Sequence, residues 1–406
     1  VYSSVLKNLF AGYVSEIMND VAIPSIDFYL HDGVRATGAG LIPVLLSCLI
    51  AATGAQNDEV QNLWQLSSAK LIAGIMSEPM PEITQIYHTS LVDGISTMGD
   101  NCISEDLQAR FTQGLSANLT DVFERVRQRH GEDDEYNEDL DEEYEDFTDE
   151  DLLDEINKSL AALFKTTNGN YLTHFQTIWP LVSTYLQDTE VILILFALVA
   201  IADMIHYGGE RSAPFKDICM SKVSAFLVSP EPSIRQAAAY TIGICAQYAP
   251  TCYADVCIPS LEALFQVVNI ADAKSDENQT ATENSSAAIA KILDSYNTIP
   301  NVDTYIANWL QTLPVIVDEE AAAFTYRYLG YLMDSNSAIV TDPSNIPMVI
   351  DHVVQALHHK SISGKNAATV VQSAKRVLST MPQEDAMALF QRYPQDFMPT
   401  IQAWFS

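Results

Sequence analysis

The chain is short of positive charge. Across 406 residues it has 21 Lys and Arg against 53 Asp and Glu, a net charge of −32. So few cations cannot neutralise a row of phosphates, which excludes nucleic acid as a direct ligand. It is short of cysteine patterning as well. Cys48, Cys102, Cys219, Cys245, Cys252 and Cys257 form no CxxC pair and no framework spacing, so buried, inert thiols in a reducing compartment are expected. Long apolar runs are missing too. The longest, Val191–Ala202, is bounded by Glu190 and Asp203, shorter than the roughly 20 residues of a spanning helix, and reads as a core helix. No secretory leader is visible: Val1–Phe10 carries Lys7 in an amphipathic pattern. A start without Met, inside a helical pattern, reads as a segment of something longer. The sequons at Asn118, Asn157, Asn278 and Asn284 then read as accidental.

Catalytic motifs are also missing. Gly208-Gly209 lacks the Lys-Ser/Thr context of a phosphate loop and reads as a helix C-terminus. No Ser or Cys occupies a nucleophile elbow. His352, His358 and His359 fall on one helix without acidic or Cys partners at ligand spacing and read as surface histidines. Cys245, Cys252 and Cys257 approach around a helix turn but read as thiols rather than metal ligands. The expectation is a chain with no enzymatic activity, cofactor or metal.

What the chain has in excess is acid in one place. Between Glu132 and Glu155 lie 16 acids and no base, half of the net charge. Such a block repels itself and resists burial. Its downstream edge is marked by Thr148 and Asp151, spaced as a capping box, with Asp149 and Glu150 in the first turn. Leu152, Leu153, Ile156, Leu160, Leu163 and Phe164 follow at helical spacing. The insertion is therefore read as 131–147, an acidic, flexible loop. Within it Tyr136, Leu140, Tyr144 and Phe147 recur at intervals of four, four and three, one stripe if the segment turns helical on docking. These four residues, with Asp133, Asp134, Glu135, Asp141, Glu142 and Glu143, are candidates for binding a basic partner; charge of this sign attracts basic proteins. Arg125, Arg127 and Arg129 stand just before the block, placed to neutralise its near end or to meet an acidic partner.

Elsewhere apolar stripes of helical period follow one another, at Leu107–Val126, Ile178–Leu186, Val191–Ile205, Ile234–Ala246, Leu261–Val268, Ala287–Leu293 and Val370–Leu378. Breaks rich in Pro, Gly, Asp or Asn separate them, such as Tyr207–Pro214 and Ser229–Pro232. No period-two strand or hairpin signal interrupts the series. Pro24 and Pro180 each precede an aspartate, Asp32 and Asp188, by eight residues, and Pro259 is read as opening a third such helix. A unit of roughly 40–47 residues with two helices is the HEAT pattern. The stretch from Pro230 to Ile244 is its cleanest unit, with Arg235 near the helix start and small Ala237–Ala239 permitting close packing. The expected architecture is all-α: a HEAT-repeat superhelical solenoid of about eight to nine units over 1–406, with the acidic loop inserted. Trp64, Trp179, Trp309 and Trp404 read as core between repeats. Asp32, Asp188 and Glu231, near the starts of second helices, are further partner-binding candidates from repeat geometry.

Three stretches carry a resemblance. Ile234–Pro250, Thr282–Leu293 and Asn301–Ala322 resemble the importin-beta superfamily, in particular the importin five subfamily with its fungal karyopherin, over essentially the whole chain. The acidic insertion stands where that subfamily has one. The resemblance implies the C-terminal portion of a nuclear transport receptor moving between cytoplasm and nucleus. Its implied partners are basic cargo, Phe-Gly nucleoporins and Ran-GTP, the main Ran contacts falling outside this chain; neither direct nucleic-acid binding nor membrane insertion is implied. Two other readings remain open on the residues alone: a HEAT scaffold of a multi-subunit complex, or an acidic chaperone of basic proteins. Competition between Ran-GTP and a basic peptide would separate them.

Overall fold

A helix pair buries one apolar face within itself and leaves the other to be covered by a neighbouring pair. The computed structural model describes residues 10–54, 56–131 and 148–405, and every regular element among them is helical. The calls on Asp133 to Phe147 lie outside the described residues. Chain packing separates two units, Val1–Ser212 and Ala213–Ser406.

In the first unit, a helical run in four short segments (Ala11–Tyr13, Val14–Ile17, Met18–Ala22 and Ile23–Ser25) leads to α1 (Asp32–Thr53), α2 (Asp58–Ser77) and α3 (Pro81–Met98). Then come α4 (Glu105–Gly131), α5 (Asp149–Thr166), α6 (Leu172–Leu186) and α7 (Val191–Gly208). The second helices stack in order, α1 on α3, α3 on α5 and α5 on α7, while the first helices stack as α2, α4, α6. The second unit repeats the scheme with α8 (Lys216–Phe226), α9 (Pro232–Tyr248), α10 (Pro250–Val268), α11 (Gln279–Ser295), α12 (Val302–Leu310) and α13 (Glu319–Asp334). It closes with α14 (Ile346–His358), α15 (Gly364–Leu378), α16 (Gln383–Phe390) and α17 (Met398–Phe405). Here α9, α11, α13 and α15 form the second-helix layer, α8 lies on α10, and α17 packs against α14 and α15.

Local signals set these boundaries. Thr148 caps α5 in a full capping box: its hydroxyl accepts from Asp151 N and its own amide donates to the Asp151 carboxylate. The six apolar residues expected on α5, from Leu152 to Phe164, are all buried. Helix α7 ends at Gly208, and Gly209 takes a left-handed φ of 55° that a side chain would resist. Every apolar stripe read from the sequence falls inside a helix.

Pro259 does not open a helix; it lies inside α10, and Pro180 lies likewise inside α6. The periodic proline marks the interior of first helices, where its missing N–H leaves a carbonyl unpaired one turn back. Contrary to the reading from the longest apolar run, α1 and the stretch Val191–Phe226 are long and apolar enough to span a membrane by length and composition. In α7 that character is used in the core, where Leu193, Phe196, Leu198, Ile201 and Met204 are buried.

The layers interlock through aromatic side chains whose polar ends are satisfied. Trp64 Nε1 donates to Cys102 O at 2.8 Å and Trp309 Nε1 to Ser286 O at 3.0 Å. Trp64, Trp179 and Trp309 are buried core as expected, while Trp404 is half-buried. A Cβ on Gly74 would sit 2.7 Å from the Tyr87 ring, so α2 and α3 need glycine there to approach. All four sequon asparagines are buried, which bars a glycan from the folded chain.

His352 corrects the surface reading. It is 5% exposed, and its Nε2 lies 3.0 Å from Leu310 O, because it shares the inward face of α14 with Val349, Val353 and Ala356. His359 is exposed, and half-buried His358 stacks on Phe397 at 3.7 Å. Burial lowers the pKa of His352 to about 4 and that of fully enclosed His88, whose Nδ1 is 2.9 Å from Ser159 Oγ, to about 3.

These two histidines predict a pH response. The unfolded chain takes up the protons near pH 6.5, and the folded chain only near 4 and 3. Their stabilisation is therefore complete above about pH 6.5 and is lost as pH falls, by up to roughly 1.4 kcal/mol per pH unit for each histidine. The apparent urea midpoint should drop between pH 7.5 and 5, and the His88→Gln, His352→Gln double variant should show a shallower drop.

Candidate partner-binding surfaces

The acidic insertion falls between α4 and α5 in the sequence, and cations from α4 hold the first residue of α5. Arg125 Nε and Nη2 donate to Asp149 Oδ1 at 2.9 and 2.6 Å, and Arg129 donates to Asp149 Oδ2. Asp149 is fully buried, while Arg125 and Arg129 keep 32% and 61% of their side chains exposed. Residues 24 and 20 positions apart are thus fastened across the insertion by one carboxylate. Neither role read for the arginines describes this geometry: the carboxylate lies past the far end of the insertion and belongs to the same chain. The acid they meet is the first residue of α5, which follows the insertion.

Arg127 points to the next pair and donates to Asp188. Asp188 also accepts from the amides of Thr189 and Glu190 at 2.7 and 3.0 Å. Burial alone would raise its pKa, but those amides and Arg127 together hold it below the ordinary carboxylate value. Its side chain is 3% exposed, so the structure places this candidate in the turn joining α6 to α7. Glu231 caps α9, its Oε1 accepting from Ser233 Oγ at 2.9 Å. Asp32 is exposed and opens α1. Gly131 is the last residue of α4.

Sequence reading missed the buried polar links between successive pairs. Arg35 makes a two-pronged pair with Glu78 at 2.8 and 2.9 Å, and Tyr87 OH donates to the same carboxylate at 3.2 Å. Arg235 occupies the matching place in the second unit: it takes Ser229 O and Pro230 O at 2.7 and 2.8 Å and donates to Asn278. Both arginines reach a residue 43 positions on, a repeat of the period that sequence alone could have revealed. Glu283 accepts the amides of Ile316, Val317 and Asp318 at 2.8–3.2 Å, holding the turn before α13.

A second missed feature is Lys291, 6% exposed on α11. Its ammonium lies 5.4 Å from the Tyr240 ring centre and 5.6 Å from that of Phe324, and burial lowers its pKa. The stem crosses Gly243, where a Cβ would meet Lys291 Cδ at 3.0 Å. Cys245 and Cys257 do come together, and burial with the neighbouring thiol pushes the Cys245 pKa up. Among the described residues no group of three His, Cys, Asp or Glu could hold a metal.

Among the described residues, two of the cavities between stacked helices have mostly apolar linings. In the second unit, one of about 430 Å³ separates first helices α8 and α10, floored by Met220, Leu227, Val256, Pro259 and Ala263. The Lys216–Asp255 pair, 2.8 Å apart, stands at its rim. In the first unit, one of about 400 Å³ lies between second helices α3 and α5.

Stacked helix pairs with polar links at a fixed register define a HEAT-type repeat protein. The family described as "Importin repeat 6" matches residues 83–188, and "Importin repeat" matches 318–371. Importin subunit beta-3 of Saccharomyces cerevisiae is 59% identical over 406 residues, covering 100% of this chain and 37% of the relative. The structure of the karyopherin Kap121p bound to RanGTP aligns with TM-score 0.86 and 52% identity over 99% of this chain and 36% of that one. Kap121p bound to Nup53p aligns with TM-score 0.84 and 54% identity over 99% and 36%. The chain belongs to the importin-beta superfamily and spans little more than a third of the length of these relatives.

The arginine clamp predicts non-additive losses. Arg125→Ala or Arg129→Ala alone should cost roughly 1 kcal/mol, since the other cation still meets Asp149. Both together leave a buried carboxylate unpaired and should cost about 3 kcal/mol or more. Adding Asp149→Asn should recover part of that loss; equilibrium unfolding of the four variants reads the cycle.

Proposed function

We propose that this chain is the C-terminal part of a nuclear import receptor, contributing protein-binding surface rather than catalysis. The observation that carries this reading is the 59% identity to importin subunit beta-3 along the full 406 residues. On this reading the whole receptor binds basic cargo, is regulated by Ran-GTP, as Kap121p is seen with RanGTP, and moves between cytoplasm and nucleus. The acidic segment, with Tyr136, Leu140, Tyr144 and Phe147 among its carboxylates, is an accessory contact for basic proteins, its affinity screened by salt over about 8–10 Å.

The groove between α8 and α10 supports a nucleoporin contact. Its apolar floor and volume of about 430 Å³ have room for an aromatic side chain, with the Lys216–Asp255 pair at the rim. Weak, dispersed pockets of this kind fit rapid passage better than one tight site, since dissociation sets residence time.

The test is binding of a Phe-Gly repeat peptide to the chain and to its Ala263→Trp variant, which fills the groove. Affinity should fall about fivefold or more with helical content unchanged. Equal affinity would remove this groove from the reading.

A further inference from the structure

Asn168 and Gly169 form the only Asn-Gly step in the sequence. Such a step is chemically labile, because a glycine amide has no side chain to hinder its attack on the preceding carboxamide. The turn from α5 to α6 requires the pair all the same. Helix α5 ends in a Schellman motif, with Gly169 N donating to Phe164 O at 2.7 Å and Asn168 N to Lys165 O at 3.0 Å. Asn168 therefore takes a left-handed φ of 50°, a conformation that asparagine tolerates better than most residues with a side chain. Gly169 has a φ of 75°, and a Cβ there would overlap Tyr207 O. Packing thus dictates glycine after asparagine and leaves the labile step in place.

Asn168 is exposed, and its side-chain amide makes no hydrogen bond among the described residues. The carboxamide carbon is open to attack. Ring closure is opposed by the peptide plane between the two residues, which must rotate to bring Gly169 N onto that carbon. That plane is held at both edges. Its N–H is bound to Phe164 O, and its carbonyl, that of Asn168, accepts from Arg211 Nη2 at 2.5 Å. Arg211 stands just past α7 and is fixed in turn by Asn170 Oδ1 at 2.9 Å and Gly208 O at 3.2 Å.

We propose that Asn168 is a deamidation site kept latent by Arg211. When the turn opens, Gly169 N loses its proton and bonds to the Asn168 carboxamide carbon. The bond from that carbon to the side-chain nitrogen breaks, and ammonia leaves. Water then opens the succinimide at one carbonyl or the other, giving aspartate or isoaspartate, with no oxidant or cofactor consumed. Isoaspartate adds a methylene to the main chain, which displaces Gly169 N–H from Phe164 O and loosens the join between α5 and α6. The end of α13 supplies an internal comparison. Asn336 has a φ of 54° in the same motif, with Ser337 N donating to Leu332 O at 3.0 Å, but the serine side chain hinders the attack.

Deamidation is read by mass-spectrometric peptide mapping of the whole chain at mildly alkaline pH, folded and in urea. Isoaspartate is read separately, as methyl transfer from S-adenosylmethionine by an isoaspartyl methyltransferase. In urea, Asn168 should convert before any other asparagine, and Asn168→Ser should remove most of the methyl acceptance. Folding should slow the conversion about tenfold or more, because reaction waits on local opening. Arg211→Ala should recover most of that factor with helical content unchanged, while Asn336 stays unconverted. Asn170→Ala, a surface change that removes one anchor of Arg211, should recover part of it and decides the matter if Arg211→Ala fails to fold. Equal rates in the folded and unfolded chain, earlier conversion of another asparagine, or variants that react at the parent rate would each overturn the proposal.

Discussion

The constraint on which the structure depends is that each helix pair must be placed in register on the next, although apolar contact alone permits sliding. Buried polar links remove that freedom. Arg35 meets Glu78, Arg127 meets Asp188 and Arg235 meets Asn278, while the Glu283 carboxylate gathers three amides ahead of α13. Breaking one such link strands a buried charge or amide, which costs more than the link itself contributes. Specificity of register follows from that asymmetry.

The acidic insertion is the severe test of this arrangement. It separates α4 from its partner helix α5 by a block that holds 11 acids between 131 and 147, and self-repulsion of such a block works against closing the pair. The protein offsets this at the base, not along the block: Arg125 and Arg129 converge on Asp149, and Thr148 with Asp151 starts α5 independently. The repeat therefore continues through α5, which packs on both α3 and α7, as though the chain between were short.

Much of this was legible in the sequence, for identifiable reasons. Helical period, the capping box at Thr148 and the break at Gly208 are local signals, and they placed helices and the edge of the insertion. The family resemblance rested on stretches such as Ile234–Pro250, whose Ala237–Ala239 run and Arg235 serve packing and register. What stayed hidden depends on neighbours distant in the chain. His352 reads as a polar surface residue until Leu310 O is seen facing it, and Asp188 reads as a free carboxylate until Arg127 arrives from 61 positions away. Pro259 looked like a helix start because a proline usually is one, whereas α10 tolerates it in its interior. Lys291 between Tyr240 and Phe324 joins three helices and has no local signature.

The most direct measurement is the thermal unfolding of a variant in which residues 132–147 are replaced by a four-residue Gly-Ser linker, with amide exchange across 149–156. If the clamp and cap at the base carry the junction, the midpoint should stay within about 2 °C of the parent, and the α5 amides should keep their protection. A loss of several degrees together with rapid exchange at the start of α5 would contradict the account, by showing that the inserted segment itself holds the pair together.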